Sequence, residues 1–233
     1  KVATNLLHDY GYFNGSVSYK EVPQKNPKEA KVNYVIDMSQ PYFLDSIAYL
    51  KYPHYADSLI QSTRSQSVLK SGENFSVIKL EEERQRLSNL FRNHGYYYYR
   101  PEFTTYRADT LQKSGYVSLQ VVPRNGIPTE AKKQYYVGNT SVYLTGYNNE
   151  PPTDTLRLRT MTLYYSGKKP GIRPNALMRN MFFRKGELFS QDRQTFTQEA
   201  IARMGVFRYS EFRSEPKDTT ANGDTLNVNM YAT

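Results

Sequence analysis

The 233-residue chain contains no cysteine, only three histidines, and no apolar run approaching the roughly 18 residues of a membrane-spanning helix. Without cysteine there is neither a disulfide framework nor a thiolate metal site, an absence that fits an oxidising periplasm but is also common in cytosolic domains. The histidines, His8, His54 and His94, fall in different segments with no partner at ligand spacing. His8 and His94 lie near expected helix C-termini, where a positive group is mildly favoured. No metal or cofactor site is therefore expected. Nucleophile elbow, phosphate-cradling loop and convincing acid pair are all missing, so no catalytic residues are assigned and enzyme activity is not expected.

What is abundant is tyrosine and positive charge. Lysine and arginine number 31 against 22 acidic residues, a net charge of +9 that suits an anionic surface, an acidic partner or nucleic acid, and equally an ordinary basic surface. The run Tyr96-Tyr97-Tyr98-Tyr99-Arg100 resembles a stacking platform for single-stranded nucleic acid. Strand alternation would send two of its tyrosines inward and two outward, and no RNP-type sequence accompanies it. Tyrosines covering a thin sheet, rings packed and hydroxyls wet, account for it better, and no nucleic acid is expected. Glu81-Glu82-Glu83 reads as the solvated face of a helix. The hydrophobic content of 38% is low for one large core and suits several thin two-layer units.

Three copies of one phrase organise the chain: Leu7-His8-Asp9-Tyr10-Gly11-Tyr12-Phe13, Phe91-Arg92-Asn93-His94-Gly95-Tyr96-Tyr97 and Ile201-Ala202-Arg203-Met204-Gly205-Val206-Phe207. In each an amphipathic segment stops at glycine and an aromatic or β-branched segment follows. A left-handed residue that ends a helix and releases a strand explains the pattern, making Gly11, Gly95 and Gly205 structural helix stops. Upstream, Lys70-Ser71-Gly72-Glu73-Asn74-Phe75-Ser76 matches Arg184-Lys185-Gly186-Glu187-Leu188-Phe189-Ser190, a turn followed by an N-cap serine. Ser76 precedes Gly95 by 19 residues and Ser190 precedes Gly205 by 15, a difference of about one helical turn. Alternating strands close each copy: 32–36, 117–121 and 226–230.

The expected fold class is α+β, in tandem small β-α-α-β-β units, each a three-stranded mixed sheet covered on one face by two helices. Residues 1–40 are the C-terminal part of a truncated copy, with strands near 15–22 and 31–38. Residues 41–124 form a complete copy: a strand over 43–50 with Phe43, Asp45, Ile47 and Tyr49 on one face, helices over 55–68 and 76–94, and a hairpin of 97–106 with 116–122. Residues 125–133 read as a Pro/Gly linker. Residues 134–233 form a third copy, with a first strand over 135–146, an insertion near 147–166 that includes a strand-like 161–165, helices over 176–182 and after Ser190, and a hairpin of 207–213 with 225–231.

The element order, the Gly-Glu-x-Phe-Ser turn and the Gly-Tyr-Phe/Tyr junction together resemble POTRA (polypeptide-transport-associated) domains, which stand in the periplasm before the β-barrel of outer-membrane-protein assembly factors of the BamA and TamA kind. Val206 after the last glycine and the insertion depart from the pattern. The resemblance implies a periplasmic location at the outer membrane of a Gram-negative bacterium, and a C-terminal barrel beyond these residues. It implies as partners unfolded outer-membrane proteins or accessory assembly proteins. An exposed sheet edge can take up an extended peptide by β-augmentation. The family's sheet order places that edge on Tyr97, Tyr99, Pro101, Phe103 and Thr105, and on Phe207, Tyr209, Glu211 and Arg213. A structural spacer or docking array of a cell-division or two-partner-secretion protein is the alternative.

Overall fold

The computed structural model describes residues 2–23, 29–145, 151–217 and 223–233. The chain divides into two compact units, one made of residues 1–88 and 100–126, the other of 89–99 and 127–233.

In the first unit, helix α1 (Val2–Asp9) leads into an antiparallel hairpin of β1 (Ser16–Pro23) and β2 (Ala30–Asp37), paired from Ser16↔Asp37 to Pro23↔Ala30. The sheet has two strands, and Val32, Tyr34 and Ile36 along β2 are all exposed. Strand β3 (Phe43–Tyr49) follows, then α2 (His54–Ser62) with a 3-10 turn at Arg64–Gln66, α3 (Val77–Asn93), of which residues 89–93 belong to the second unit, β4 (Thr104–Asp109) and β5 (Tyr116–Pro123). The order β3-β5-β4 puts β5 in the centre, parallel to β3 and antiparallel to β4: a mixed three-stranded sheet.

Strict alternation fails in β3. Leu44 and Tyr49 are the buried residues, five apart, because the pairing with β5 shifts register between Leu44 and Ile47. A bulge inserts one residue and flips the faces beyond it. Phe43, Asp45, Ile47 and Tyr49 therefore do not share one inward face.

The second unit contains β6 (Tyr136–Leu144), β7 (Asp154–Arg157), β8 (Thr162–Tyr165), α4 (Pro174–Arg179), α5 (Gln191–Arg203), β9 (Ser210–Pro216) and β10 (Thr225–Ala232). Its sheet has five strands in the order β7-β8-β6-β10-β9, not three. The insertion supplies the extra two: β8 lies parallel to β6, and β7 closes back on β8. A tyrosine ladder runs across the junction. Tyr164 stacks on Tyr143 at 4.6 Å, and Tyr143 on Tyr231 at 4.9 Å. Such cross-strand pairs stabilise one register over its neighbours. The core is formed by Leu163, Val142, Met230, Leu177 and Ile201, with Phe189, Leu226 and Val228 in an adjoining cluster.

The expected linker differs from expectation. The stretch read as a linker contains a 3-10 turn at Thr129–Lys132, with Ile127 and Ala131 buried, because apolar residues among the Pro and Gly find cover. Residues 146–150, part of the insertion and of the expected end of the first strand, lie outside the described residues.

Candidate functional site

The helix-stop glycines are the joints from which the candidate edges hang. At Gly11 (φ +87°) the N–H of Tyr12 bonds the carbonyl of Leu7 at 2.9 Å and that of Gly11 bonds His8 at 3.0 Å. This double closure is a Schellman motif. At Gly95 (φ +93°) the N–H of Tyr96 bonds Phe91 at 3.1 Å in the same way.

Both glycines then accept a strand. The Gly11 carbonyl takes the N–H of Tyr42 at 2.9 Å, and the Gly95 carbonyl takes that of Tyr135 at 2.8 Å. The Gly-Glu-x-Phe-Ser turn completes each joint. Phe75 N–H bonds Tyr42 and Phe189 N–H bonds Tyr135, at 2.8 and 2.9 Å. Phe13 packs on Phe75, and Tyr97 on Phe189. A Cβ on Gly11 would stand 2.7 Å from the Phe75 carbonyl, and one on Gly95 2.9 Å from Leu188. At Gly205 (φ +65°) a Cβ would meet nothing within 4 Å, and Val206 beside it is exposed.

The expected edge of the middle copy begins later than the sequence suggested. Strand β4 starts at Thr104, so Tyr97, Tyr99, Pro101 and Phe103 precede it, and only Thr105 lies within it. The cause is local. Tyr99 packs edge-on against Phe91 at 4.7 Å, and Tyr97 and Tyr98 pack on Phe189 and Tyr135. Pro101 then opens a 3-10 turn at Pro101–Phe103, whose fixed φ suits that position. The Phe103 N–H bonds Arg100 and its carbonyl takes Arg124 N–H, so neither is an edge group. Phe103 and Arg124 form the narrow pair that sets the ladder's phase. Antiparallel pairing alternates, which turns the main-chain groups of Tyr106 and Ala108 outward.

In the third copy β9 is one sheet edge, β7 being the other, but it starts at Ser210, so Phe207 and Tyr209 precede it while Glu211 and Arg213 lie within it. Thr233 and Tyr209 exchange main-chain bonds at 3.1 and 3.4 Å. The same alternation therefore directs Glu211, Arg213 and Glu215 main-chain groups to β10, and those of Phe212 and Ser214 outward. Pro216 has no N–H to offer at the next outward position. Glu211 and Arg213 pair with each other at 2.8 Å, and that hydrogen bond holds the Glu211 carboxyl below its ordinary range.

One buried site went unread in the sequence. Glu83 is fully buried, not a member of a solvated face. Its carboxylate accepts from Tyr49 Oη at 2.5 Å, from Val68 N–H at 3.2 Å, and from Arg86 Nη2 and Nε at 2.6 and 2.9 Å. Tyr49 Oη also meets Ser67 Oγ at 2.9 Å. Burial first, then the bond to Glu83, push the Tyr49 hydroxyl up to about 12. Tyr106 is likewise raised by burial and donates to the Leu80 carbonyl at 2.6 Å. The missed signal was the spacing Leu80, Glu83, Leu87, which lays the third glutamate on the apolar stripe. Every acceptor lobe of that fully buried carboxylate is engaged, so the network is structural. Among the described residues no group of three or more His, Asp or Glu could hold a metal ion, and no helix is long and apolar enough to cross a membrane.

Solved structures share this architecture. A crystal structure of POTRA domains 3–5 of Haemophilus influenzae BamA aligns over 98% of this chain and 76% of its own, with a TM-score of 0.50 and 11% identity. The structure of Haemophilus ducreyi BamA lacking POTRA domains 1–3 aligns over 82% of this chain with a TM-score of 0.55 and 12% identity. This chain spans 29% of that one. No family model and no curated protein sequence matches the chain. The chain thus has the fold of tandem POTRA domains.

Proposed function

We propose that the chain is a periplasmic polypeptide-binding module of an outer-membrane β-barrel assembly or secretion factor, not an enzyme. It takes up extended clients or accessory proteins by β-augmentation, and a β-barrel belongs to the same protein. The observation that carries this reading is the edge strand β9, whose Phe212 and Ser214 main-chain groups point away from β10. An open strand edge offers hydrogen bonds without regard to side-chain order, which suits clients united only by strand-forming tendency. Edge β4 offers Tyr106 and Ala108 in the same way. The fold shared with BamA POTRA domains supports the setting.

NMR shift mapping with a peptide copied from an outer-membrane β-strand, and with its scrambled version, tests the reading. Both peptides are expected to perturb Ser210–Pro216 to a similar extent. Ser214→Pro removes one outward donor at the cost of a small side chain, and is expected to weaken binding without unfolding the unit. Perturbations confined to the helices, or an unaltered affinity in Ser214→Pro, would overturn it.

A further inference from the structure

The second unit carries a groove that the strand-edge reading does not use. It has a volume of about 790 Å3 and lies between α4, α5 and the turn joining β7 to β8. Met178, Phe182 and Phe196 give it an apolar floor, and Arg159, Arg179 and Arg184 stand along it. Phe182 and Phe196, 43% and 55% exposed, are the most exposed phenylalanines of the chain. The two side chains line one cavity. Among the described residues no carboxylate pairs with any of the three arginines, whereas Arg193 nearby is engaged by Glu187.

The middle repeat shows that this surface is not dictated by the fold. Counted from the N-cap serines Ser76 and Ser190, Phe196 occupies the position of Glu82, Phe182 that of Val68, and Arg179 that of Ser65. The third repeat has replaced a carboxylate by a phenyl ring and a serine by a guanidinium group, while Arg184 keeps the positive charge of Lys70. Unpaired arginines beside exposed aromatics suit a partner that brings both carboxylates and apolar side chains. The lining α4 and α5 segments present side chains and no open strand edge, so the groove cannot bind by main-chain pairing. A helix, whose own backbone bonds are satisfied internally, meets that condition.

We propose that this groove is a docking site for an acidic amphipathic helix of a protein partner. Its apolar face lies on Phe182 and Phe196, and its carboxylates meet Arg159, Arg179 and Arg184. The site is independent of the β9 edge, so each proposal can fail alone.

The probe is a labelled amphipathic helical peptide of leucine and glutamate, added to the whole chain and followed by fluorescence anisotropy and by NMR shifts. Saturable binding with shifts on α4 and α5 is expected. Phe196→Glu, which restores the residue type of the middle repeat, and the double variant Arg179→Glu/Arg184→Glu should each weaken it about ten-fold or more. Circular dichroism should be unchanged, and if the double variant misfolds, the exposed Phe196→Glu still decides. A leucine–lysine peptide should bind far less well. The proposal is overturned if no leucine–glutamate peptide binds, if the lysine peptide binds equally, or if Phe196→Glu leaves affinity unaltered. It is also overturned if shifts fall on β9, or if vesicles of phosphatidylglycerol occupy the groove and the acidic peptide does not compete with them.

Discussion

In the middle repeat the N–H of Val68 is held by Glu83 Oε2 at 3.2 Å; in the third, the N–H of Phe182 is held by Thr197 Oγ1 at 3.1 Å. The two acceptors stand at the same helical position counted from Ser76 and Ser190, and both are fully buried. Each repeat must satisfy one main-chain donor where the residues after its short helix pass under the long one. The middle repeat does it with a charge, and so must also enlist the buried Tyr49 and the partly buried Arg86 as partners. The third does it with a hydroxyl that donates to the Arg193 carbonyl at 2.7 Å and needs nothing else. The frame thus specifies a buried acceptor, not its identity, and the charged solution makes the middle repeat dependent on a network.

That dependence gives the largest expected effect. Glu83→Ala leaves the Arg86 guanidinium, the Tyr49 hydroxyl and the Val68 N–H without their acceptor. Removing one member of a buried charge pair typically costs about 3–5 kcal/mol. Urea unfolding should show a loss of that order. A loss below about 1 kcal/mol, the net worth of an ordinary hydrogen bond, would mean that water replaces the carboxylate and that the network is not a structural requirement.

The glycine joints sharpen the comparison next. Gly95→Ala forces a Cβ into a left-handed backbone, about 1–2 kcal/mol, and to within 2.9 Å of Leu188, adding about 1–3 kcal/mol of overpacking. Gly205→Ala meets the same backbone strain with open space beyond it, so its cost should stop at about 1–2 kcal/mol. Thermal unfolding of the two variants should therefore separate them. Equal midpoints would show that the turn and strand around Gly95 give way freely.

The order of elements was legible because it rests on signals within a few residues of one another: glycine stops, N-cap serines, period-two strands. Gly11, Gly95 and Gly205 all take positive φ for that reason. The edges were less legible. A run of tyrosines reads as strand, yet Tyr97 and Tyr98 are held by Phe189 and Tyr135, dozens of residues away in sequence. Which main-chain groups of β9 face outward depends on the phase set by Thr233 and Tyr209, which no local pattern encodes. The groove of Met178, Phe182 and Phe196 joins a short helix, a long helix and an inserted turn, and Phe196 alone looks like any exposed aromatic. Glu83 was lost for the opposite reason: its neighbours Glu81 and Glu82 are exposed and mask it.

Alkaline pH should act on the middle repeat through the same network. Tyr49 has its pKa raised to about 12 in the folded chain, against about 10 for an unperturbed tyrosine. A raised folded value means that the stabilisation is fully present below pH 10 and is lost as pH climbs through 12. Unfolding free energies measured from pH 9 to 12 should fall more steeply in the native chain than in Tyr49→Phe. Tyr106, Tyr98, Tyr135 and Tyr231, also raised by burial, and Tyr209, raised by its hydrogen bond to Glu211, titrate in the same direction and contribute to the slope that remains. Identical slopes would place the Tyr49 hydroxyl in water.

The smallest effect belongs to the third repeat. Thr197→Val keeps the shape of the side chain and removes the hydroxyl, so packing with the surrounding core changes little. What is lost is one bond given to the Arg193 carbonyl and one accepted from Phe182 N–H. The carbonyl retains its helical bond, and the N–H belongs to Phe182, an exposed residue, so the cost should be about 1 kcal/mol. The expected ratio between Glu83→Ala and Thr197→Val is thus about three or more in free energy. Urea unfolding of both variants measures it directly. If Thr197→Val proves as damaging as Glu83→Ala, the main-chain donor itself, and not the charge that serves it in the middle repeat, dominates both sites.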